Sequence, residues 1–247
     1  MSEMIRLDKY LCDMQIGSRK EIKELAKKGR IKVNDLIVKS TDLKVDPEAD
    51  CILVDNRLIR YVKFEYYMMN KPQGVISATK DEQEMTVVEL IKDHSRKDLF
   101  PVGRLDKDTE GLMVITNDGE MAHRVLSPSK HISKTYFARI EGVVTQKDVE
   151  RFATGIELLD GTMTKPAKLV ILKTGENTSE IEVKIYEGKY HQIKRMFAAC
   201  GKHVDFLKRI AMGGLTLDES LKPGEYRRLT EEELKMMTDS SDNEVLF

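Results

Sequence analysis

Residues 103–119 read GRLDKDTEGLMVITNDG, and the element they form decides how the longer part of the chain is built. The run LMVITN is a short stretch of strand-prone side chains stopped by Asn117, Asp118 and Gly119, so it reads as a buried strand. Gly103 and Gly111 bracket the loop before it, which carries Arg104, Leu105 and Asp106. The Asp106 carboxylate therefore sits on a connection leading into a strand. Two readings fit that placement: an aspartate that stabilises a turn, or a reactive group displayed by a rigid scaffold.

Downstream of this strand, GEMAHRVLSP reads as a short helix and SKTYFARIEG as a strand with Tyr136 at its middle. A strand tyrosine is ordinarily a packing residue. PAKLVILKTGENTSEIEVKIYEG reads as a hairpin, its second arm alternating Ile181, Val183 and Ile185 with Glu182 and Lys184. Upstream, FEYYMMNKPQGVIS reads as a strand running into a Lys-Pro-Gln-Gly loop, and TVVELIKDH as a helix. Strands outnumber helices without regular alternation. The expected class is α+β, a mixed, largely antiparallel sheet with flanking helices.

The first 60 residues have a different texture. Ile5, Leu7, Leu11 and Met14 follow mostly helical spacing, and Ser18 with Glu21 forms the S-x-x-E capping box of a second helix that buries Ile22, Leu25 and Ala26. Gly29 stops that helix, and the short strand pieces RIKVN, DLIVKS and DCILVDN follow. Burying the apolar face leaves Arg19, Lys20, Lys23, Lys27 and Arg30 outward, which suits an RNA-binding platform. The expected division is a small module over 1–60, a second domain over 61–237, and a disordered acidic tail over 238–247.

Bulk properties exclude several function classes. The chain has 247 residues, 40% apolar and 34% charged, and no apolar run approaches the ~20 residues that span a bilayer, so no membrane partner is expected. MSEMIRLDKYL carries no basic region with an apolar core and cleavage site, so the expected location is the cytoplasm. Three distant cysteines without a CxxC pair, and five histidines without HxxxH or HExxH spacing, give neither a disulfide framework nor a metal site. Neither GxGxxG nor GxxxxGK[ST] occurs, so no cofactor is expected. The net charge of -1 hides an asymmetry, because the stretch from Thr230 onward holds six acids and one lysine and leaves the body slightly basic. The basic residues concentrate in 18–32 and 189–209, where they suit phosphate contacts or a solvated face.

The second of these clusters contains YEGKYHQIKRMFAACGKHV. Ile193, Met196, Phe197 and Cys200 follow i, i+3, i+4, i+7, which places Lys194 at the border of the buried stripe and Arg195 almost opposite it, toward solvent or RNA. Lys194 can thus reach a cleft, or both can be solvated cations near a helix start.

Two resemblances organise these observations. IRLDKYL and SRKEIKELAKKGRIKVN resemble the RNA-binding module first described in ribosomal protein S-four, which implies binding to structured RNA through the second helix and the turn after it. GRLDKDTEGLMVITNDG, KTYFARI and EGKYHQIKRM, in that order, resemble the pseudouridine synthases that modify ribosomal RNA and carry the same module. That resemblance implies that Asp106 is the catalytic aspartate, Tyr136 the aromatic residue against the target base, Lys194 the basic partner of Asp106, and Arg104 a holder of RNA after base flipping. Arg195 joins the RNA-facing cations.

The reaction so implied is an isomerisation, which needs no cofactor and fits the missing cofactor motifs. The segment EGKYHQIKRM and the ending LKPGEYRRLTEEE resemble the small-subunit branch, whereas large-subunit enzymes tend toward RNRQVRRM-like segments. The expected partner is small-subunit ribosomal RNA, free or in an assembling particle, acted on by a monomer. Alternatives are a large-subunit uridine and a non-catalytic rRNA-binding or assembly factor.

Overall fold

The computed structural model describes residues 3–238. The expected acidic tail lies outside the described residues, apart from Thr238 at the end of the last helix. The chain divides into two compact units, one formed by residues up to Glu65 together with Lys92–Leu99, the other by Tyr66–Ile91 and the chain from Phe100 onward.

In the first unit, β1 (Ile5–Arg6) leads into α1 (Leu7–Asp13) and α2 (Arg19–Lys27). The strands β2 (Ile31–Val33), β3 (Leu36–Ile37), β4 (Lys44–Val45), β5 (Ile52–Val54) and β6 (Arg57–Leu58) follow. The capping box forms: the Ser18 hydroxyl accepts from the Glu21 N–H at 3.3 Å while Glu21 accepts from the Ser18 N–H at 2.7 Å. These bonds satisfy donors the helix start would otherwise leave open. Ile22 and Ala26 pack with Leu7, Leu11, Ile31 and Ile52 in one core, and a four-stranded sheet of order β3-β2-β5-β6 completes the unit. Residues 92–99 belong here because the nearly buried Arg96 guanidinium lies 3.2 Å from Asp13 and 2.7 Å from Asp98, and the backbone N–H of Arg96 donates to Glu65.

This division explains one failed expectation. TVVELIKDH forms turns: Thr86 bridges to Ile76, the Thr86 N–H donates to the Glu89 carboxylate, and the chain passes to the other unit after Ile91. Paired β-branched valines and one local cap give a single turn, too little to propagate a helix.

In the second unit the strands are β7 (Tyr66–Lys71), β8 (Phe100–Pro101), β9 (Glu110–Thr116), β10 (Lys134–Glu141), β11 (Lys168–Thr174), β12 (Thr178–Ile185), β13 (His203–Met212), β14 (Leu215–Thr216) and β15 (Tyr226–Arg228). The helices are α3 (Gly119–Leu126), α4 (Gln146–Thr154), α5 (Gln192–Ala199) and α6 (Glu231–Thr238). The main sheet has the order β11-β12-β10-β13-β9-β7-β15, with β8 and β14 paired beside it. All neighbours are antiparallel except β13 and β9, so the sheet is mixed and the fold is α+β. LMVIT lies within β9, which ends before Asn117, and 168–185 form the expected hairpin. Helix α4, which no sequence reading anticipated, packs Phe152 against Phe197 of α5 with ring centroids 4.9 Å apart. On the other half of the sheet Met68, Leu112 and Val114 pack with Met121 and Val125 of α3.

The one parallel junction is short, pairing Lys208 with Glu110 and Arg209 with Gly111. Gly111 has φ +103°, and a Cβ there would lie 2.2 Å from the Arg209 carbonyl oxygen. Only glycine fits where the chain leaves the Asp106 loop and enters the sheet centre.

Candidate active site

The Asp106 loop is pinned from three sides. The Ser77 hydroxyl donates to the Leu105 carbonyl at 2.8 Å and accepts from the Leu105 N–H at 3.0 Å. From the Lys-Pro-Gln-Gly loop, the Gly74 N–H donates to the Lys107 carbonyl at 2.8 Å. Beneath them lies Lys71, fully buried, whose ammonium donates to the carbonyls of Thr109 (2.9 Å), Asp106 (3.0 Å) and Pro72 (3.1 Å). Burial pushes Lys71 down to about 8 from the ordinary lysine value, with Asp106, Asp108 and Glu110 opposing the shift.

From the other side comes the α5 loop. The Gln192 side chain, itself buried, accepts from the Lys189 N–H at 2.9 Å and donates to Glu187 at 2.8 Å, and Glu187 in turn accepts from the Lys165 N–H. His191 adopts a left-handed backbone with φ 48°, uncommon for a residue with a side chain, and its Nε2 lies 3.5 Å from Asp106 Oδ1. At the third residue of α5, Lys194 Nζ lies 3.6 Å from Asp106 Oδ2. The helical stripe holds: Ile193, Met196 and Phe197 are buried, and Lys194 stands at its border.

Between these loops opens a cavity walled by Arg104, Asp106, Thr109, Tyr136, His191 and Lys194, with Ile185 and Leu207 also in its lining. Four residues singled out from sequence, Arg104, Asp106, Tyr136 and Lys194, thus line one cavity, although they come from three distant stretches of the chain. Tyr136 is nearly buried, so its ring forms part of the wall. Such a cavity offers a carboxylate flanked by two nitrogen bases, an aromatic wall and an exposed cation at the mouth.

The remaining predicted residues lie elsewhere. Arg195 pairs with Asp160 and is not in the cavity. Arg19, Lys20, Lys23, Lys27 and Arg30 are exposed in the first unit, as amphipathicity requires, but Lys27 pairs with Glu24 at 2.8 Å and Arg30 with Asp55.

The structure also brings in residues that sequence reasoning missed. The shortest contact of Lys194 is to Asp108 Oδ1 at 2.6 Å, so its ammonium is shared between two carboxylates, and that bond holds the Asp108 carboxyl below its usual range. The D-x-D spacing of Asp106 and Asp108 was the available signal. The buried Thr109 hydroxyl has no hydrogen-bond partner among the described residues. No signal in sequence marks Lys71 as buried.

Two family patterns match the chain: S4 domain over residues 5–51 and RNA pseudouridylate synthase over residues 65–199. An RNA pseudouridine synthase of Bacillus subtilis is 45% identical over 236 residues, covering 95% of this chain and 99% of its own length. Proteins named ribosomal small subunit pseudouridine synthase A from Vibrio cholerae and Escherichia coli are 42% and 40% identical, each covering 93% of this chain and 98% of the relative. A solved pseudouridylate synthase superposes with a TM-score of 0.66 at 36% identity, covering 94% of this chain and 99% of that one. With an S4 domain ahead of it and matches extending over nearly its full length, the chain belongs to the RNA pseudouridylate synthase family and is an enzyme that converts uridine in RNA to pseudouridine.

Proposed function

We propose that the substrate is a uridine of small-subunit ribosomal RNA, free or in an assembling particle, and that Asp106 is the catalytic carboxylate. The observation that carries the site assignment is the convergence of Asp106, Tyr136 and Lys194 on one cavity. The substrate assignment is supported by the relatives named for the small ribosomal subunit.

The reaction breaks the bond from C1' to N1, turns the uracil and joins C1' to C5. The C5 proton is lost and N1 gains one, so the product is an isomer. The Asp106 carboxylate serves either by covalent attack on the sugar or base or by assisting removal of a sugar proton, with the Lys194 ammonium 3.6 Å away. The nearly buried Tyr136 ring supplies a stacking wall for the flipped base, and its hydroxyl is the candidate acceptor of the C5 proton. Arg104 at the mouth holds the adjoining phosphate. Residues 1–60 act as the RNA-binding module and 61–237 as the catalytic domain, with the exposed cations of α2 and Arg30 tracking the backbone and Arg195 contributing from α5.

The test maps pseudouridine by carbodiimide-dependent primer-extension stops across both ribosomal RNAs after incubation with intact protein and with Asp106→Ala. One new stop in the small-subunit RNA, absent with the variant, is expected. A stop in the large-subunit RNA overturns the substrate assignment, and one that survives Asp106→Ala overturns the catalytic role.

A further inference from the structure

The cavity that takes the target base opens into a larger groove of about 1410 Å³ of empty space. The groove shares Arg104, Asp106, Lys189 and His191 with the cavity and extends past Ser77, Lys107 and Tyr190. A nucleotide flipped into the inner cavity stays joined to its neighbours, so the RNA strand must leave through such a groove.

One side chain there has no role in the chemistry described above. Tyr190 is 75% exposed although its ring lies against that of His191, with centroids 3.8 Å apart and planes inclined by only 19°. One face of the tyrosine is thus covered by the imidazole while the rest of the ring stands in the groove. The geometry is held from behind: the Lys189 N–H is fixed by Gln192, the Tyr190 carbonyl accepts from Arg195 at 3.4 Å, and the left-handed turn at His191 carries the imidazole back to within 3.5 Å of Asp106. A non-glycine residue kept in that conformation, with an aromatic ring left in water beside it, is the pattern of a prepared contact surface.

We infer that Tyr190 and His191 form a stacking shelf for the base of a nucleotide adjoining the flipped uridine, extending a π-stack outward from Asp106. The adjoining base loses its neighbour when the uridine leaves the helix, and the open face of Tyr190 replaces that lost stacking. Arg104 and Lys189 in the same wall supply positive charge for the flanking phosphates. Stacking accepts any base, so the shelf sets affinity for a flipped conformation and leaves sequence choice to other contacts.

This inference rests on the proposed site, and its test separates the two. Tyr190→Ala, Tyr190→Phe and Asp106→Ala are compared on a synthetic fragment spanning the mapped uridine, with and without an abasic nucleotide on either side of it. Tyr190→Ala is expected to raise KM roughly 5- to 150-fold, the range for removing one aromatic platform, with kcat little changed and Tyr190→Phe near wild type. On one side of the uridine the abasic substitution should cost the wild type a similar factor and cost Tyr190→Ala nothing further. An unchanged KM in Tyr190→Ala, or an abasic penalty that persists in full in that variant on both sides, overturns the shelf while loss of activity in Asp106→Ala still upholds the site. Activity in Asp106→Ala overturns the site independently. Binding of labelled single-stranded oligouridylate to the same variants gives a readout free of turnover: weakened binding by Tyr190→Ala alone supports the shelf, and equal binding by wild type, Tyr190→Ala and Tyr190→Phe refutes it.

Discussion

Replacing Lys71 with methionine keeps the length of the side chain and removes the ammonium that ties the Asp106 loop to β7. Three carbonyls, those of Thr109, Asp106 and Pro72, lose a donor at 2.9–3.1 Å, and of these the Asp106 carbonyl keeps the Thr109 N–H at 3.1 Å. A buried acceptor left without a partner costs about 1–3 kcal/mol, while removing the charge recovers part of the several kcal/mol spent on desolvating it. The net expectation is a loss of about 3–5 kcal/mol, set against a total stability of about 5–15 kcal/mol. The protein should therefore fold, with a loosened loop. A displacement of about 1 Å at a reacting group costs on the order of 100-fold, so single-turnover pseudouridine formation should fall by about that factor with a smaller change in KM.

The pH dependence of stability separates charge from packing. Folded Lys71 titrates near 8, below the ordinary lysine value of the unfolded chain, so between those values the unfolded chain binds more protons. Its contribution to stability thus rises with pH through that window, by at most about 1.4 kcal/mol per pH unit, and is absent from Lys71→Met. The assay is urea unfolding at several pH values alongside single-turnover rates. A Lys71→Met protein within about 1 kcal/mol of wild type and with an unaltered rate would refute the reasoning, because the carbonyls would then have no need of this donor.

At the parallel junction, Gly111→Ala places a methyl group 2.2 Å from the Arg209 carbonyl at φ +103°, and strain and overpacking of about 1–3 kcal/mol each should lower the thermal midpoint and abolish modification together. Differential scanning calorimetry checks it; an unshifted midpoint would show that the strands can part at no cost. In the first unit, reversing Lys23, Lys27 and Arg30 to glutamate should weaken rRNA binding and make its logarithmic salt dependence shallower by up to about 2. Single reversals should rank Lys23 first, since Lys27 and Arg30 already pair with Glu24 and Asp55. Equal affinity and slope across a salt titration would reject α2 as a phosphate-facing element.

What sequence made legible is what local chemistry decides. Ser18 and Glu21 specify a helix start through bonds three residues apart, and Ile181, Val183 and Ile185 specify a strand through alternation, so α2 and β12 are where spacing puts them. Helical phase likewise placed Lys194 at the edge of a buried stripe. The failures have the opposite character. TVVELIKDH carries apolar spacing without enough chain in one unit to complete a helix, because its last residues pack elsewhere. Lys71 looks like any loop-edge lysine until the carbonyls of Asp106 and Thr109, distant in sequence, close around it. The resemblance pairs Lys194 with Asp106, which lies 3.6 Å away, and the structure adds Asp108 as the shorter contact, which helical phase does not foretell because it gives a direction and no account of which carboxylates lie near.

The parallel pairing of β9 with β13 has a kinetic consequence. The hairpin β11–β12 joins adjacent stretches of chain, whereas β7 is separated from β9 by residues 72–109 and β15 pairs with β7 across a still longer stretch. Joining the β13 and β9 sides of the sheet requires Arg209 to meet the chain around Gly111 and Leu112, a bond that spans 97 residues. Long closures are entropically costly and are made late in folding. Recovery of modification activity during refolding should therefore lag the return of secondary structure, with burial of the Arg209 side chain marking the moment the enzyme becomes competent.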